Sequence, residues 1–470
     1  MLVAIASHGE KNLPFLKRLI ENYQSLPMDV DIVVVSNGPK DLGPDVRVVV
    51  GLPSANPWSL PFAHKPIFAE NQDRYDLFIY SEDDMEVAER HIRAFLQVTP
   101  ALADDEIAGF LRYEVDGNGA WHVPEAHESA HWKPETAKRR GPHSVAEFSN
   151  EHAGVYLLTQ SQLKQVVASG NFLRKPYEGR YGLPETAATD PYTCCGFRKV
   201  ICVSFLQDFL IHHLPDRYIG QLGTPLSVIQ EQAKTLVNIS NGVHPATMLC
   251  PVESKCMRGR WSRDYDEKPR AELLAALPAG ARTILSVGCG SGRLEAAFAE
   301  RGMKVTALPL DSVAGAAVSR RGIEVVYGTW REGFLQLADR KFDGVVVAGL
   351  FHLLPDPGPL LAACAASLAD GGTLLASGPN FGRFPHRIKQ ALGINGYRGL
   401  RDYSESGINV NVTRELSESA RRLGLDPVKL LWLDHELAPG RRGVSLGGLT
   451  ARNWLLEARR KPAMAAGGTI

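Results

Sequence analysis

The chain has 470 residues, with 52 Lys and Arg against 52 Asp and Glu, 44% hydrophobic residues and 22% charged residues. At roughly 100 to 200 residues per domain, this length predicts two or three domains, and the composition excludes a disordered or fibrous protein. A formal net charge of zero disfavours a nucleic-acid partner, because such binding depends on many contacts from Lys and Arg to phosphates.

No apolar run approaches the ~20 residues that cross a bilayer, and residues 1–7 are too short for a secretory signal before His8. We therefore expect a cytoplasmic protein without a transmembrane segment, for which peripheral membrane contact stays open. The 7 Cys include no Cys-x-x-Cys pair, which predicts free, mostly buried thiols and not a disulfide framework or a four-thiolate zinc site.

Short β-branched runs alternate with amphipathic stretches in the first half, a pattern typical of parallel sheets covered by helices. The predicted strands there are 2–6, 31–35, 46–50 and 76–80, and the predicted helices are 13–23 and 88–98. Further strands are predicted near 107–113 and 154–158. The stretch 121–148 is rich in His, Pro and charge and shows no clear period, which predicts a long loop.

Three consecutive acids follow the predicted strand at 76–80. Glu82, Asp83 and Asp84 stand at the carboxyl edge of a sheet, where like charges repel strongly unless a cation lies among them. Oxygen ligands favour Mg²⁺ or Mn²⁺, which also bind diphosphate oxygens. The alternative is an acidic cap on the helix that follows Val87, stabilised by the helix dipole.

An acidic motif after the fourth strand resembles the Asp-x-Asp motif of GT-A fold glycosyltransferases, and the resemblance covers about residues 1–240. It implies a nucleotide-sugar donor, a saccharide or glycolipid acceptor, and Mn²⁺ or Mg²⁺ held by Asp84. Glu82 and Asp83 would then lie near ribose, the sugar or the waters of the metal. A late histidine is a common further ligand in this fold, which makes His212, or else His213, a candidate.

Small polar turns end the first two predicted strands. Ser7, His8 and Asn37 lie in these turns, at the edge where a base and ribose would bind. Lys65 precedes the chain leading to the acidic motif and could contact phosphates, although a solvated lysine is the equal alternative.

Two carboxylates are candidates for the base of an inverting transfer, which takes a proton from the acceptor hydroxyl. They are Glu185 and Asp190, on a stretch predicted to be irregular. Asp208 and His212 stand four residues apart, which predicts one face of a helix.

Regular alternation resumes in the second half, with predicted strands at 283–287, 304–308, 324–327, 342–348 and 373–377. Mixed charge with Pro245 and Pro251 marks the junction. We therefore predict a first domain at 1–245, a linker at 246–262 and a second domain at 263–470.

A glycine-rich turn follows the strand at 283–287 and precedes a predicted helix. Glycines there allow backbone N–H groups and a helix N-terminus to approach a ligand closely. Four more motifs follow in order: Phe342-Asp343, Leu353-Leu354-Pro355-Asp356-Pro357, Asp370-Gly371-Gly372-Thr373 and Gly378-Pro379-Asn380. Over about residues 262–460 this set resembles the class I S-adenosylmethionine-dependent methyltransferase family.

The resemblance implies a seven-stranded Rossmann-like sheet with S-adenosylmethionine at the carboxyl ends of its strands. Its glycine turn would hold the methionine and ribose through Gly288, Gly290 and Gly292. The family's usual ribose-binding acid is replaced by a run into Pro309, so Asp311 is the candidate substitute. Thr329 stands where an Asp commonly holds the adenine amino group, and a hydroxyl accepts that bond more weakly.

Two histidines lie after the fourth and fifth strands of this half. Transfer of a methyl group to oxygen or nitrogen depends mainly on alignment, and a hydroxyl acceptor also needs a base. His352 is the candidate base, and His386 is a second one. The alternative is that His352 packs under the ligand and His386 only hydrogen-bonds a loop.

Together the halves predict an α/β protein with two Rossmann-like domains, a bifunctional glycosyltransferase and methyltransferase of surface polysaccharide or glycolipid assembly. One alternative is an active glycosyltransferase with a non-catalytic methyltransferase-like module for partner binding. Another is a first half that only binds carbohydrate and positions it for methylation.

Overall fold

A computed structural model describes residues 1–394, 397, 399, 400, 402–433 and 447–461 of the chain. The chain divides into two compact units, Met1–His244 and Pro245–Ile470. Within these described ranges, none of the helices has the length and apolar character that a membrane crossing requires.

The N-terminal unit is built from short strands and six described helices. Its strands are β1 (Leu2–Ser7), β2 (Asp31–Ser36), β3 (Val46–Val50), β4 (Leu77–Glu82), β5 (Met85–Glu86), β6 (Glu106–Ala108), β7 (Leu111–Val115), β8 (Trp121–Val123), β9 (Trp132–Arg140), β10 (His143–Phe148), β11 (Val155–Thr159), β12 (Arg198–Cys202), β13 (Leu210–His213) and β14 (Thr224–Pro225). Its helices are α1 (Leu13–Gln24), α2 (His64–Glu70), α3 (Glu89–Val98), α4 (Gln160–Ala168), α5 (Leu183–Thr193) and α6 (Leu226–Ser240).

The principal sheet of this unit has the strand order β11-β4-β1-β2-β3. The first four strands in sequence are parallel, and β11 pairs antiparallel with β4. Every residue of β1 is buried, as expected for a parallel strand covered on both faces, and this is why it reads as a continuous apolar run. The carboxyl ends of β1, β2 and β4 therefore lie along one edge.

Two smaller sheets, β6-β12-β10-β9 and β14-β8-β7-β13-β5, complete the unit. They contain β8, β9 and β10, so the long loop predicted at 121–148 is wrong. The charged residues that hid this strand pattern are paired through tertiary contacts. Lys138 and Arg140 on β9 both form ion pairs with the buried Glu106 of β6, at 2.7 Å each.

Two other local predictions for this unit are wrong. The stretch with Glu185 and Asp190 is helical, because α5 covers it with Pro184 in its first turn, where proline is tolerated. Asp208 and His212 do not share a helix face. A 3₁₀ turn at Val203–Phe209 is followed by strand β13, which pairs in parallel with β7.

The C-terminal unit alternates strands and helices. Its strands are β15 (Thr283–Cys289), β16 (Lys304–Pro309), β17 (Glu324–Val325), β18 (Phe342–Ala348), β19 (Leu368–Pro379), β20 (Leu425–Leu433) and β21 (Asn453–Arg460). Its described helices are α7 (Ala271–Ala276), α8 (Arg293–Glu300), α9 (Ser312–Arg320), α10 (Trp330–Gln336), α11 (Gly358–Ala366), α12 (Phe384–Ala391), α13 (Tyr403–Ser406) and α14 (Val412–Arg422).

These strands form one seven-stranded sheet in the order β17-β16-β15-β18-β19-β21-β20. Strands β15 to β19 are parallel, and β21 runs antiparallel between β19 and β20. The predicted seven-stranded Rossmann-like fold of this half is confirmed. The strand order reverses between β15 and β18, and in open α/β sheets ligands bind outside the carboxyl ends of the strands at such a switch point.

Residues 246–262, for which we expected a linker, pack into this unit. Leu249, Cys250 and Val252 are buried in the same apolar cluster as Leu308 and Leu350. The chain segment that precedes the C-terminal sheet therefore packs against the carboxyl ends of its strands.

Candidate functional site

The acidic edge of the N-terminal unit consists of Asn12, Asp83, Asp84 and His213. Both aspartates follow β4 and are only 6% exposed. The side-chain amide of Asn12, just before α1, donates to Asp83 Oδ1 at 2.8 Å and to Asp84 Oδ2 at 3.1 Å. The predicted acids are therefore buried side by side at the carboxyl end of the sheet.

Burial raises the pKa of Asp83 to about 6, against the hydrogen bond from Asn12, which lowers it. The neighbouring charges of Asp84 and Glu82 raise it further. Glu82 is different, because His152 lies 3.7 Å away and holds the pKa of Glu82 below its usual value in spite of burial. Burial and like charge thus raise the proton affinity of Asp83, an effect that a neighbouring cation would relieve.

Asp84 has one carboxylate oxygen with a partner and one without. Its Oδ2 lies 3.5 Å from His213 Nε2 and 3.9 Å from the guanidinium of Arg217. Its Oδ1 is buried and has no hydrogen-bond partner among the residues that the structure describes. An unsatisfied buried carboxylate oxygen is costly, so the arrangement fits a site completed by a cation or a bound ligand.

His213 is oriented for such a role. Its Nδ1 donates to the buried carboxylate of Glu114 at 2.5 Å, which leaves Nε2 facing Asp84. Metal-binding histidines usually donate their second ring N–H to a carboxylate in this way. Burial opposes protonation, but the Asp84 carboxylate raises the pKa of His213 above its usual value.

The structure places His213, and not the predicted His212, beside Asp84. His212 instead forms ion pairs with Asp216 at 3.1 Å and Glu86 at 3.8 Å, and stacks on Tyr113. Both histidines belong to β13, where successive side chains point to opposite faces. A helical prediction could not distinguish them, whereas strand geometry does.

No group of three or more His, Cys, Asp or Glu side chains arranged to hold a metal ion occurs among the described residues. The Mn²⁺ or Mg²⁺ expected from the sequence would therefore take two side-chain ligands, Asp84 and His213, and would need its remaining ligands from a substrate or from water.

Lys65 and Asp190 bind each other in the core. The Lys65 ammonium donates to Asp190 Oδ2, and Tyr177 donates to Asp190 Oδ1 at 2.7 Å. Lys65 is 1% exposed and Asp190 0%. The predicted phosphate contact of Lys65 and the predicted base role of Asp190 therefore do not fit, because each charge is neutralised by the other away from solvent.

Glu185 remains near the acidic edge. Burial, and then the charges of Glu82, Asp83, Asp84 and Glu185, raise the pKa of Tyr80 on β4. The carboxylate of Glu185 therefore shares the electrostatic environment of the acids.

The two strand-end turns are arranged as expected around the same edge. Ser7 is buried at the end of β1, and His8 is exposed directly after it. Asn37, after β2, uses its Oδ1 to accept the backbone N–H of Gly9 at 2.8 Å, and this bond ties the two turns together. His152, which sequence reasoning did not assign to the site, was signalled only by the polar run before β11.

The glycine edge of the C-terminal unit consists of the turn from Gly288 to Gly292, between β15 and α8. Gly288 and Gly292 have φ values of +80° and +79°, which favour glycine. At Gly290, an added Cβ would lie 2.1 Å from the carbonyl oxygen of Tyr265. The backbone of this chain, and not only a ligand, requires glycine at that position.

Polar backbone groups of this turn already have partners. The N–H of Ser291 donates to the Tyr265 carbonyl at 2.7 Å, and Arg263 Nε donates to the Gly288 carbonyl at 3.3 Å. The hydroxyl of Ser291 donates to Asp266 at 2.8 Å. The start of α8, where an anionic ligand part would bind, is therefore covered by residues 263–266.

Asp311, the candidate for the missing ribose-binding acid, is engaged as a helix cap. It is 1% exposed and caps α9, because its Oδ1 accepts the N–H of Ala314 at 2.8 Å. The residue between it and β16 is Leu310, which is fully buried.

Thr329 also serves as a helix cap. It begins α10 in a capping box with Glu332, whose carboxylate lies 2.9 Å from the Thr329 hydroxyl. The hydroxyl that we expected at the adenine amino group is therefore engaged within the helix start.

His352 is buried, not at a pocket mouth. It is 2% exposed, its Nε2 donates to the Trp261 carbonyl at 2.7 Å, and burial lowers its pKa to about 4. His386 lies against the rings of Trp261 and Tyr397, and burial lowers its pKa to about 4 as well. The alternative that His352 packs inside the unit is thus the one its surroundings match.

In the described conformation, aliphatic side chains crowd the switch point of the C-terminal sheet. A Cβ atom added to Gly288 would lie 3.7 Å from Leu249 Cδ2. It would lie 3.6 Å from Leu310 and 3.0 Å from Leu350. Three aliphatic side chains thus lie against the glycine turn at the switch point, where this architecture binds its ligand.

A parallel sheet with a glycine turn after its first strand and a reversed strand order defines the C-terminal unit as a Rossmann-like domain of the class I methyltransferase type. A family model described as "Methyltransferase domain" matches residues 285–376. The chain is 30% identical over 190 residues to the ubiquinone biosynthesis O-methyltransferase of Bordetella avium, covering 38% of this chain and 76% of that protein.

The corresponding protein of Xanthomonas axonopodis pv. citri is 34% identical over 131 residues, 25% of this chain and 54% of that one, so this match spans about half the relative. A solved S-adenosylmethionine-dependent methyltransferase of Archaeoglobus fulgidus aligns with 40% of this chain and 90% of its own, at 17% identity and a TM-score of 0.32. Through its C-terminal unit, the chain belongs to the class I S-adenosylmethionine-dependent methyltransferase family.

Proposed function

We propose that the chain is a two-domain transferase. Its N-terminal unit transfers a sugar from a nucleotide-sugar donor to a saccharide or glycolipid acceptor, and its C-terminal unit methylates an oxygen of a related acceptor. The observation that carries the first part is the buried, unpartnered Oδ1 of Asp84 beside His213 at the carboxyl edge of a mostly parallel sheet. Such an edge is where α/β proteins bind nucleotides.

In this proposal Asp84 and His213 hold Mn²⁺ or Mg²⁺, which when bound neutralises the diphosphate of the donor and so favours its departure. Asn12 fixes both aspartates through its two hydrogen bonds. Ser7, His8 and Asn37 line the side on which base and ribose would lie, with Glu82 and Asp83 nearer the sugar. Glu185 takes the proton of the acceptor hydroxyl.

Methylation of oxygen is supported for the C-terminal unit by the names of the relatives, which are O-methyltransferases. Joined sugar and methyl transfer suits assembly of a surface polysaccharide or glycolipid. A second candidate, a methyltransferase-like module that only binds a partner, is favoured by the aliphatic side chains at the nucleoside place.

The test of the first part is release of nucleoside diphosphate from a panel of nucleotide sugars by the full chain, with and without Mn²⁺. We expect metal-dependent turnover that Asp84→Asn abolishes, because the substitution keeps the shape and removes the charge. Asp104→Asn, on the exposed loop before β6, is the matched control and should retain activity. Turnover that is indifferent to Mn²⁺ and to Asp84→Asn would contradict the assignment.

A further inference from the structure

One segment of the C-terminal unit, residues 247–252, is named here the strap. Backbone hydrogen bonds hold it across the carboxyl edge of the sheet. Leu249 N–H donates to the Leu310 carbonyl at 2.9 Å, Ser312 N–H donates to the Thr247 carbonyl at 3.0 Å, and Trp330 N–H donates to the Leu249 carbonyl at 2.9 Å. The strap thus bridges the end of β16 and the start of α10.

Side chains of the strap fill the space under it. Leu249 is 1% exposed and Val252 2%, and both belong to the main apolar cluster of the unit. The side chain of Leu249 would lie 3.7 Å from a Cβ atom added to Gly288. Leu350, after β18, lies on the same side of the glycine turn. The strap therefore lies at the switch point between β15 and β18, the place where this sheet architecture binds its ligand.

The strap also forms hydrogen bonds with polar groups at the ends of β16 and β17, where a nucleoside would bind. The first residues after β16 pair with Thr247 and Leu249, and the hydroxyl of Ser312 accepts the N–H of Thr247 at 2.8 Å. The N–H of Trp330, at the end of the turn after β17, is directed to the strap as well. A ligand bound between these two turns and the strap would compete for the same atoms.

We propose that the strap is an intramolecular occupant of the nucleoside place, and that S-adenosylmethionine binds only when the strap leaves it. This inference rests on the methyl transfer proposed for the C-terminal unit. The apparent affinity for the cofactor is then the intrinsic affinity multiplied by the fraction of molecules with the strap displaced, so weakening the strap strengthens cofactor binding. Most substitutions near a binding place do the opposite.

The experiment measures binding of S-adenosylhomocysteine to the full chain by calorimetry, for the unaltered protein and for two variants. Leu249→Ala removes most of the buried side chain, and Ser312→Ala removes only hydrogen bonds to Thr247 and leaves the apolar cluster intact. We expect at least tenfold tighter binding for Leu249→Ala and a gain of a few fold for Ser312→Ala. Leu335→Ala, on α10 at a 76% exposed position, is the matched control and should bind like the unaltered chain.

Hydrogen exchange of the peptide that contains Leu249 gives an independent readout. Its backbone N–H should be protected without ligand and should exchange faster when S-adenosylhomocysteine saturates the protein, because the strap is displaced. This readout does not depend on how well the Leu249→Ala variant folds.

Each outcome decides a different proposal. Tight binding that the variants do not improve, with Leu249 still protected, would overturn the strap alone and leave methyl transfer standing. Binding in neither the unaltered chain nor the variants, although all are folded by circular dichroism, would overturn methyl transfer and with it the strap as a gate.

Discussion

The acidic edge of the N-terminal unit and the glycine edge of the C-terminal unit occupy equivalent places, at the carboxyl ends of parallel strands. They differ in how their polar groups are satisfied. At the acidic edge a buried oxygen of Asp84 has no hydrogen-bond partner within the described part of the chain. At the glycine edge the carbonyl of Gly288 and the N–H of Ser291 already bond to Arg263 and Tyr265.

This difference shows that a motif and a ready binding site are separate matters. The glycine turn has the sequence signature of the family, but two of its backbone groups are already bonded to Arg263 and Tyr265 of the same chain. The acidic triplet is the weaker signature, yet one buried oxygen within it, Asp84 Oδ1, has no partner among the described residues. The following predictions test this contrast.

The largest effect is expected at Gly290. In Gly290→Ala the new Cβ would lie 2.1 Å from the backbone oxygen of Tyr265, so the chain must shift. We expect the free energy of unfolding of the C-terminal unit to fall by about 3 kcal/mol or more, measured by denaturant unfolding of the full chain. Gly280→Ala, at a position open to solvent, is the control and should change stability little. Unchanged stability of Gly290→Ala would show that a ligand and not the chain requires this glycine.

The buried His352 should make the C-terminal unit sensitive to acid. Burial lowers its folded pKa to about 4, below the usual 6.5, so between these values the unfolded chain binds a proton that the folded chain does not. Its contribution to stability is complete above pH 6.5 and is lost as the pH falls towards 4. The loss amounts to about 3 kcal/mol.

Thermal unfolding as a function of pH measures this effect. His352→Gln keeps a donor for the Trp261 carbonyl and should flatten the slope between pH 6.5 and 4, with part of the remaining slope due to His386, whose pKa burial also lowers. His8→Gln, in an exposed turn, is the control and should leave the curve unchanged. A slope as steep in His352→Gln as in the unaltered chain would show that folding does not lower the pKa of His352.

The two neighbouring histidines of β13 test the proposed metal site, because only His213 lies beside Asp84. His213→Ala should lower Mn²⁺-dependent turnover of a nucleotide sugar on the order of 100-fold, because it removes the imidazole proposed to bind the metal together with Asp84. His212→Ala, one residue earlier and on the other face, should stay within threefold. Equal losses in both variants would contradict the proposed metal pair, and the apparent Mn²⁺ affinity from the same assay distinguishes binding from turnover.

The smallest effect is expected at Thr329. Thr329→Ala removes the cap of α10 and should cost about 1 kcal/mol of stability without changing the affinity for S-adenosylhomocysteine. Thr329→Ser should restore the stability, since serine caps equally well. A loss of affinity in Thr329→Ala at unchanged stability would instead support the predicted hydrogen bond between this hydroxyl and the adenine amino group.

Sequence patterns predicted the parallel strands of both units well. The runs at 2–6 and 31–35 lie in β1 and β2, because strands buried on both faces must be apolar throughout. They failed at 121–148, where charges on β9 are paired through tertiary contacts, among them those of Lys138 and Arg140 with the distant Glu106. They failed again at His212, since the period that separates a strand from a helix needs more residues than β13 has.

The candidate sites show the same division. That three acids would meet at the end of β4 followed from their position after an apolar run. Which histidine would join them depended on pairing between β13 and β7, which are about a hundred residues apart in the chain. Lys65 and Asp190 were each predicted for the site, and only the fold could show that they neutralise one another.

The sequence by itself determined that this protein has two α/β units, an acidic edge and a glycine turn. Buried parallel strands require continuous apolar runs, and positive φ values favour glycine, so both features are visible in the residues themselves. The tertiary structure alone decided which edge remains unsatisfied. The hydrogen bonds that involve the Tyr265 carbonyl, the Arg263 side chain and the strap join segments distant in sequence. Nothing in the local pattern of the glycine turn encodes whether its polar groups bond to the chain or to a ligand.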